Sequence, residues 1–131
     1  CDYSVVAYSD GDIVLHAVMD AMLGSLALGD IGQHFPDTDK QFASADSAEL
    51  TRQVSSLCLS KGYSVSNLDI TILCEIPKIH PIRDALRQCI SDVLAISVDH
   101  VSVKASTTER LGFLGRREGI AVMASVLMRS H

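Results

Sequence analysis

The chain has 131 residues, enough for one domain with a real core, and its 47% hydrophobic but only 5% aromatic content, with no Trp, makes that core aliphatic. A net charge of -5 argues against a nucleic-acid surface, which calls for a basic face. No apolar run reaches the length of a membrane span, and the first residues lack the basic and apolar regions of a signal peptide. A cytosolic or organelle-stroma protein fits, with no membrane and no nucleic-acid partner expected.

Ser4 to Tyr8, SVVAY, has the β-branched content of a short strand, and Ser9-Asp10-Gly11-Asp12 supplies turn and cap residues for a helix. That helix is expected from near Asp12 to about Leu28, with Gly29 as its C′ residue. Asp12, His16 and Asp20 fall at i, i+4 and i+8 and share one stripe of an otherwise apolar helix. A buried charged side chain is costly unless it is paired or bound to a metal. The stripe reads either as a metal site or as an N-cap plus a hydrogen-bonded core histidine. In the first reading His16 is the ligand, and a carboxylate shares the ion or orients the imidazole. One helix cannot complete a zinc site, so further ligands must come from elsewhere.

The loop from Asp30 to Asp39 carries three carboxylates, Asp30, Asp37 and Asp39, suited to a polyol or to the cation that accompanies a phosphate. Backbone N–H groups at Ile31 and Gly32 are candidate anion donors, and the alternative is an acidic surface connection. Three carboxylates this close repel a bare phosphate, so a phosphate here requires a divalent ion.

Asp46 with Glu49 forms a capping box for a second helix, whose apolar face runs through Leu50, Val54, Leu57 and Cys58 to a stop at Gly62. Tyr63 to Cys74 alternates, with Leu68, Ile70, Ile72 and Cys74 on one face and Asn67, Asp69 and Thr71 on the other, as in a strand with one wet side. Pro81 suits the first turn of a third helix through Leu86, Ile90 and Leu94, and Lys78 lies just upstream in a proline-stiffened segment. Val98 to Ala105 reads as a strand.

The polar, glycine-rich loop from Ser106 to Gly119 follows. Its hydroxyls and amides can hold diphosphate oxygens, Glu109 can take a Mg²⁺ that bridges them, and Arg116 and Arg117 are phosphate partners. The alternative is a hairpin with solvated charges. Ile120 to Met128 is apolar on both faces, hence central in the sheet or covered by another subunit. Cys1, Cys58, Cys74 and Cys89 show no C-x-x-C spacing and read as buried free thiols, with disulfides or a zinc ribbon as the alternatives. The order β-α-α-β-α-β-β predicts a single α+β domain over 1–131, with helices on one face of a mixed four-stranded sheet.

These motifs together resemble the 2-C-methyl-D-erythritol 2,4-cyclodiphosphate synthases of non-mevalonate isoprenoid biosynthesis. The likeness spans the whole chain through Ser9-Asp10-Gly11-Asp12, Leu15-His16-Ala17, Asp20-Ala21, Gly29-Asp30-Ile31-Gly32, Phe35-Pro36-Asp37-Thr38-Asp39, Ala45-Asp46-Ser47, Pro77-Lys78, Val103-Lys104-Ala105, Thr107-Thr108-Glu109, Leu111-Gly112-Phe113 and Gly115-Arg116. Their order and spacing together are specific where each alone is weak.

The resemblance implies a metal-dependent phosphorus-oxygen lyase. Its substrate is 4-diphosphocytidyl-2-C-methyl-D-erythritol 2-phosphate, and its products are the cyclic diphosphate and CMP. It also implies a homotrimer with active sites between subunits. By matching position, His16 is a Zn²⁺ ligand, while Ser9, Asp30, Ile31, Gly32, Phe35, Pro36, Asp37, Thr38 and Asp39 surround the methylerythritol phosphate end. Cys74, Pro77, Lys78, Ile79 and His80, with Ser106 and Thr108, hold the cytidine diphosphate end. Glu109 takes Mg²⁺ or Mn²⁺, Thr107 supports the transition state, and Phe113 and Arg116 complete the pocket.

Two departures stand out. The family carries an Asp-x-His pair upstream that supplies the other zinc ligands, and the expectation is a preceding segment that provides it. The family also has a histidine with a transition-state role where this chain has Tyr8, the catalytic candidate at that position, and a phenol can donate a hydrogen bond without being cationic near neutral pH. The second reading these departures motivate is a catalytically weak trimer that binds cytidine nucleotide or isoprenoid diphosphate as a regulatory module.

Overall fold

The structure is a computed structural model that describes residues 11–36, 44–73, 80–106 and 121–131, those of 44–46 and 80–82 through their backbone alone. The first helix, α1, is Gly11–Ser25, followed by the one-turn α2, Ile31–His34, and the long α3, Ser44–Ser60. Strand β1, Tyr63–Leu73, leads into α4, His80–Leu94, then a 3-10 turn at Val98–His100, β2 at Val101–Ser106 and β3 at Ala121–Ser130. The expected strand at 4–8 lies outside the described residues.

Among the described residues the sheet has three strands in the order β2-β1-β3, rather than the four expected. β1 pairs parallel with β2, from Leu68 opposite Val101 to Leu73 opposite Ser106, and antiparallel with β3 along its whole length. The parallel pair requires a crossover, which α4 supplies. Among the described strands β3 is therefore an outer one and not the central one. Its two apolar faces differ in fate. Val122, Ala124, Val126 and Met128 pack on the core, whereas Met123 and Leu127 point away and remain 57% and 61% exposed.

The helices cover one face of the sheet. Val65, Leu68, Ile70 and Ile72 of β1 and Val101 and Val103 of β2 are buried against them. A register shift between Val65 and Asn67 keeps the apolar residues on that face at both ends of β1. From α1 come Val14, Leu15, Val18, Met19, Met22 and Leu23, all at most 2% exposed. Each side chain of this size removed from water contributes about 1.5–3 kcal/mol, so α1 is fastened chiefly by this face. α4 is tied to β2 by Arg87, whose Nε donates to the Val101 carbonyl at 2.8 Å and whose Nη2 donates to that of Val98 at 3.0 Å.

α1 ends sooner than the glycine at position 29 suggests. Leu28 N–H donates to Leu23 O and Ala27 N–H to Gly24 O, a Schellman closure with Ala27 at φ +57 in the C′ position. α4 closes in the same way, with Ile96 N–H to Ser91 O, Ala95 N–H to Asp92 O, and Ala95 at φ +56. Of the cysteines, Cys58 is a buried free thiol as expected, and burial pushes it above the ordinary thiol range. Cys89, buried on α4, is disulfide-bonded, which corrects the expectation of free thiols at that position.

Candidate functional site

The stripe of α1 sits at the margin of its buried face. His16 and Asp12 are half-buried, while Asp20 and Ile13 are exposed. The three polar residues therefore line the rim between core and solvent, where a side chain can reach a ligand and still be held by a fixed helix. Oδ1 of Asp12 is buried and carries no hydrogen bond among the described residues. An orphaned carboxylate oxygen is costly unless a cation or a donor stands near it. One turn from the His16 imidazole, it fits a cation-binding rim. Among the described residues no group of three or more His, Cys, Asp or Glu side chains is assembled to hold a metal. His16 is thus a single donor of the expected set.

Asp20 is engaged beyond its own helix. Its Oδ1 accepts the Ile31 N–H at 3.0 Å, reaching from α1 to the loop that follows. That amide, proposed from the sequence as an anion donor, is already engaged. The loop is built tightly from there. Asp30 caps α2 by accepting the Gln33 N–H at 3.0 Å, and Phe35 N–H closes on Ile31 O at 2.8 Å. His34 Nε2 lies 2.6 Å from the Leu28 carbonyl oxygen, which can only accept, so the ring donates from Nε2. No spacing in the sequence forces a role on His34, because a bond six residues back in an irregular loop leaves no periodic signal.

Two glycines make this geometry possible. Gly29 has φ +92, and a Cβ there would lie 1.8 Å from Gln33 Oε1. A Cβ on Gly32 would meet Asp30 Oδ1 at 3.3 Å, tight against the cap itself. Ile31 and Phe35 anchor the loop by packing on the core, and Pro36 is exposed beside them.

The structure thus brings His16, Asp30, Ile31, Gly32, Phe35 and Pro36 to α1 and the loop that Asp20 fastens to it. Ser106 is the exposed last residue of β2, and His80 is the first residue of α4. Tyr8, Ser9, Asp37, Thr38, Asp39, Cys74, Pro77, Lys78, Ile79, Thr107, Thr108, Glu109, Phe113 and Arg116 lie outside the described residues. Two concavities are found elsewhere. One, of about 400 Å³, is on the open sheet face between Asn67, Asp69, His100, Ser102 and Leu127. The other, of about 610 Å³, lies at the end of α1 beside Lys61, Tyr63 and Met128. Neither is lined by His16 or by residues 30–36.

Known proteins match this architecture closely. The chain is 55% identical over 130 residues to the 2-C-methyl-D-erythritol 2,4-cyclodiphosphate synthase of Shewanella frigidimarina, covering 99% of this chain and 82% of that protein. It is 58% identical over 126 residues to the enzyme of the same name from Idiomarina loihiensis, covering 96% and 79%. Among solved structures, a CDP complex of Plasmodium falciparum IspF superposes with a TM-score of 0.80 at 36% identity, over 94% of this chain and 74% of that one. The bifunctional IspDF of Campylobacter jejuni gives 0.85 at 41% identity over 95% of this chain, which corresponds to 34% of the longer protein. The YgbB family model matches residues 1–129, and the chain belongs to that family.

Proposed function

We propose that the protein converts 4-diphosphocytidyl-2-C-methyl-D-erythritol 2-phosphate to 2-C-methyl-D-erythritol 2,4-cyclodiphosphate and CMP, as a lyase of non-mevalonate isoprenoid biosynthesis. The observation that carries this reading is 55% identity to a named synthase across nearly the full chain. The CDP-bound relative of the same fold supports a cytidine nucleotide as the ligand class.

In-line phosphoryl transfer asks for positioning and charge neutralisation more than for a protein nucleophile. An oxygen of the substrate's own 2-phosphate attacks the β-phosphorus, a P–O bond forms there, and the bond from that phosphorus to the CMP oxygen breaks. His16 on α1 would hold a divalent ion, Zn²⁺ by the family pattern, together with ligands from other segments, and Glu109 would hold Mg²⁺ or Mn²⁺. Bound at these positions, the cations would offset phosphate charge and polarise the reacting P–O bonds. Asp30, Gly32 and Phe35 wall the methylerythritol phosphate end, and Ser106 with Thr107 and Thr108 meets the diphosphate. A homotrimer would complete each site between subunits and cover the outward residues Met123 and Leu127 of β3, which are exposed in the single chain.

The test is CMP release by the full-length protein with Zn²⁺ and Mg²⁺ present. His16→Ala and Glu109→Ala are each expected to lower turnover by more than about 100-fold. CDP binding seen by calorimetry alongside no turnover in the unsubstituted protein would instead favour the nucleotide-binding module.

A further inference from the structure

Asp20 stands one turn beyond His16 on α1, yet its carboxylate is engaged with the loop. Its Oδ1 accepts the Ile31 N–H at 3.0 Å, eleven residues away in sequence. Ile31 opens α2, so its amide has no partner within that helix, and the Asp30 cap is spent on Gln33. Within the loop, Gln33 N–H bonds to the Asp30 cap, Phe35 N–H to Ile31 O, and the His34 ring to the Leu28 carbonyl. Asp20 reaches into the loop from a fixed element.

We propose that Asp20 is a positioning residue, latching residues 30–35 to α1 and so setting where the loop stands relative to His16. The role in catalysis rests on the reading above, in which this loop and His16 flank the methylerythritol phosphate end of the substrate. The platform is stiff: Val18, Met19, Met22 and Leu23, on either side of Asp20, are all 0% exposed. The loop is weaker by itself, with a one-turn helix and a left-handed Gly29 at its entrance. The hydrogen bond between the two transmits the placement of the platform to the loop. Because Asp20 is exposed, removing its carboxylate opens no cavity in the core and the variant folds.

The full-length protein and its Asp20→Ala and Asp20→Asn variants supply the test. Asp20→Ala is expected to speed hydrogen exchange of the Ile31 amide and to raise KM for the diphosphocytidyl substrate, each about tenfold. CDP affinity and bound-metal content stay unchanged, because neither depends on this loop. Asp20→Asn keeps an oxygen acceptor and restores most of both. Unchanged Ile31 exchange in Asp20→Ala overturns the proposal. So does loss of bound metal, or an Asp20→Asn variant as impaired as Asp20→Ala, since either would assign the work to the charge itself. If the unsubstituted protein releases no CMP while Ile31 protection still depends on Asp20, the functional reading falls and the latch stands.

Discussion

Asp69 carries a salt bridge on the open face of the sheet, 2.8 Å from Lys104 Nζ. Chiefly the bond from Lys104, with the neighbouring Ser102 hydroxyl adding to it, holds its carboxyl below the ordinary carboxylate value of 3.8. A depressed folded pKa stabilises the native state above the unfolded value, and that contribution is lost as pH falls through the folded one. The loss therefore occurs below about pH 3.8. The side chains are 59% and 43% exposed, so solvent screening limits the pair to under about 1 kcal/mol. Lys104→Met is expected to flatten the acid limb of stability by that small amount, read by urea unfolding at pH 3 and pH 6, with the difference shrinking in high salt. The alternation of β1 placed Asp69 on the wet face from sequence alone. Its cation was not legible, because Lys104 is brought opposite Thr71 by a parallel register that no local pattern encodes. Asp20 was legible as a member of the α1 stripe for the same reason that Asp69 was, by periodicity. Its partner, an amide eleven residues on, required the loop itself.

At the scale of elements, the helix ends hold unused stability. Ala27 and Ala95 sit at φ +57 and +56, each as the C′ residue of a Schellman closure where glycine is the natural occupant. The left-handed conformation costs a residue with a Cβ about 1–2 kcal/mol, from which the extra freedom of an unfolded glycine subtracts about 0.4–1 kcal/mol. Ala27→Gly and Ala95→Gly are each expected to stabilise by about 0.5–1 kcal/mol, raising the melting temperature by about 2–4 °C. The two lie on different helices with no shared partner among these bonds, so the double variant should show nearly the sum in thermal unfolding. Sequence reading misplaced the end of α1 because it weighted Gly29, and an alanine in a left-handed position gives no signal. It located α3, β1, α4 and β2 within a few residues, since their apolar periods are long and unbroken. β3 was found, but not its outer place among the described strands, because Met123 and Leu127 fit either a central strand or a subunit contact when strand order is unknown.

For the whole molecule, the outward side of β3 is the feature a single chain leaves unexplained. Met123 and Leu127 stand opposite Thr71 and Asn67 of β1, on the sheet face that no described helix covers. An edge strand with large apolar residues outward favours association unless something covers it. In the proposed homotrimer that cover is another copy of the chain, and sites built between subunits would then need it for activity. Replacing both residues by serine removes apolar area without adding charge beside Asp69, and costs the single chain little because both side chains are already largely in water. Light scattering coupled to size exclusion is expected to give three chains for the unsubstituted protein and one for Met123→Ser with Leu127→Ser. Far-ultraviolet circular dichroism should be unchanged, and CMP release should fall together with the trimer and recover at high protein concentration. A trimer that survives both substitutions would move the interface off this face, and a monomer that retains full CMP release would show that each chain builds its site alone.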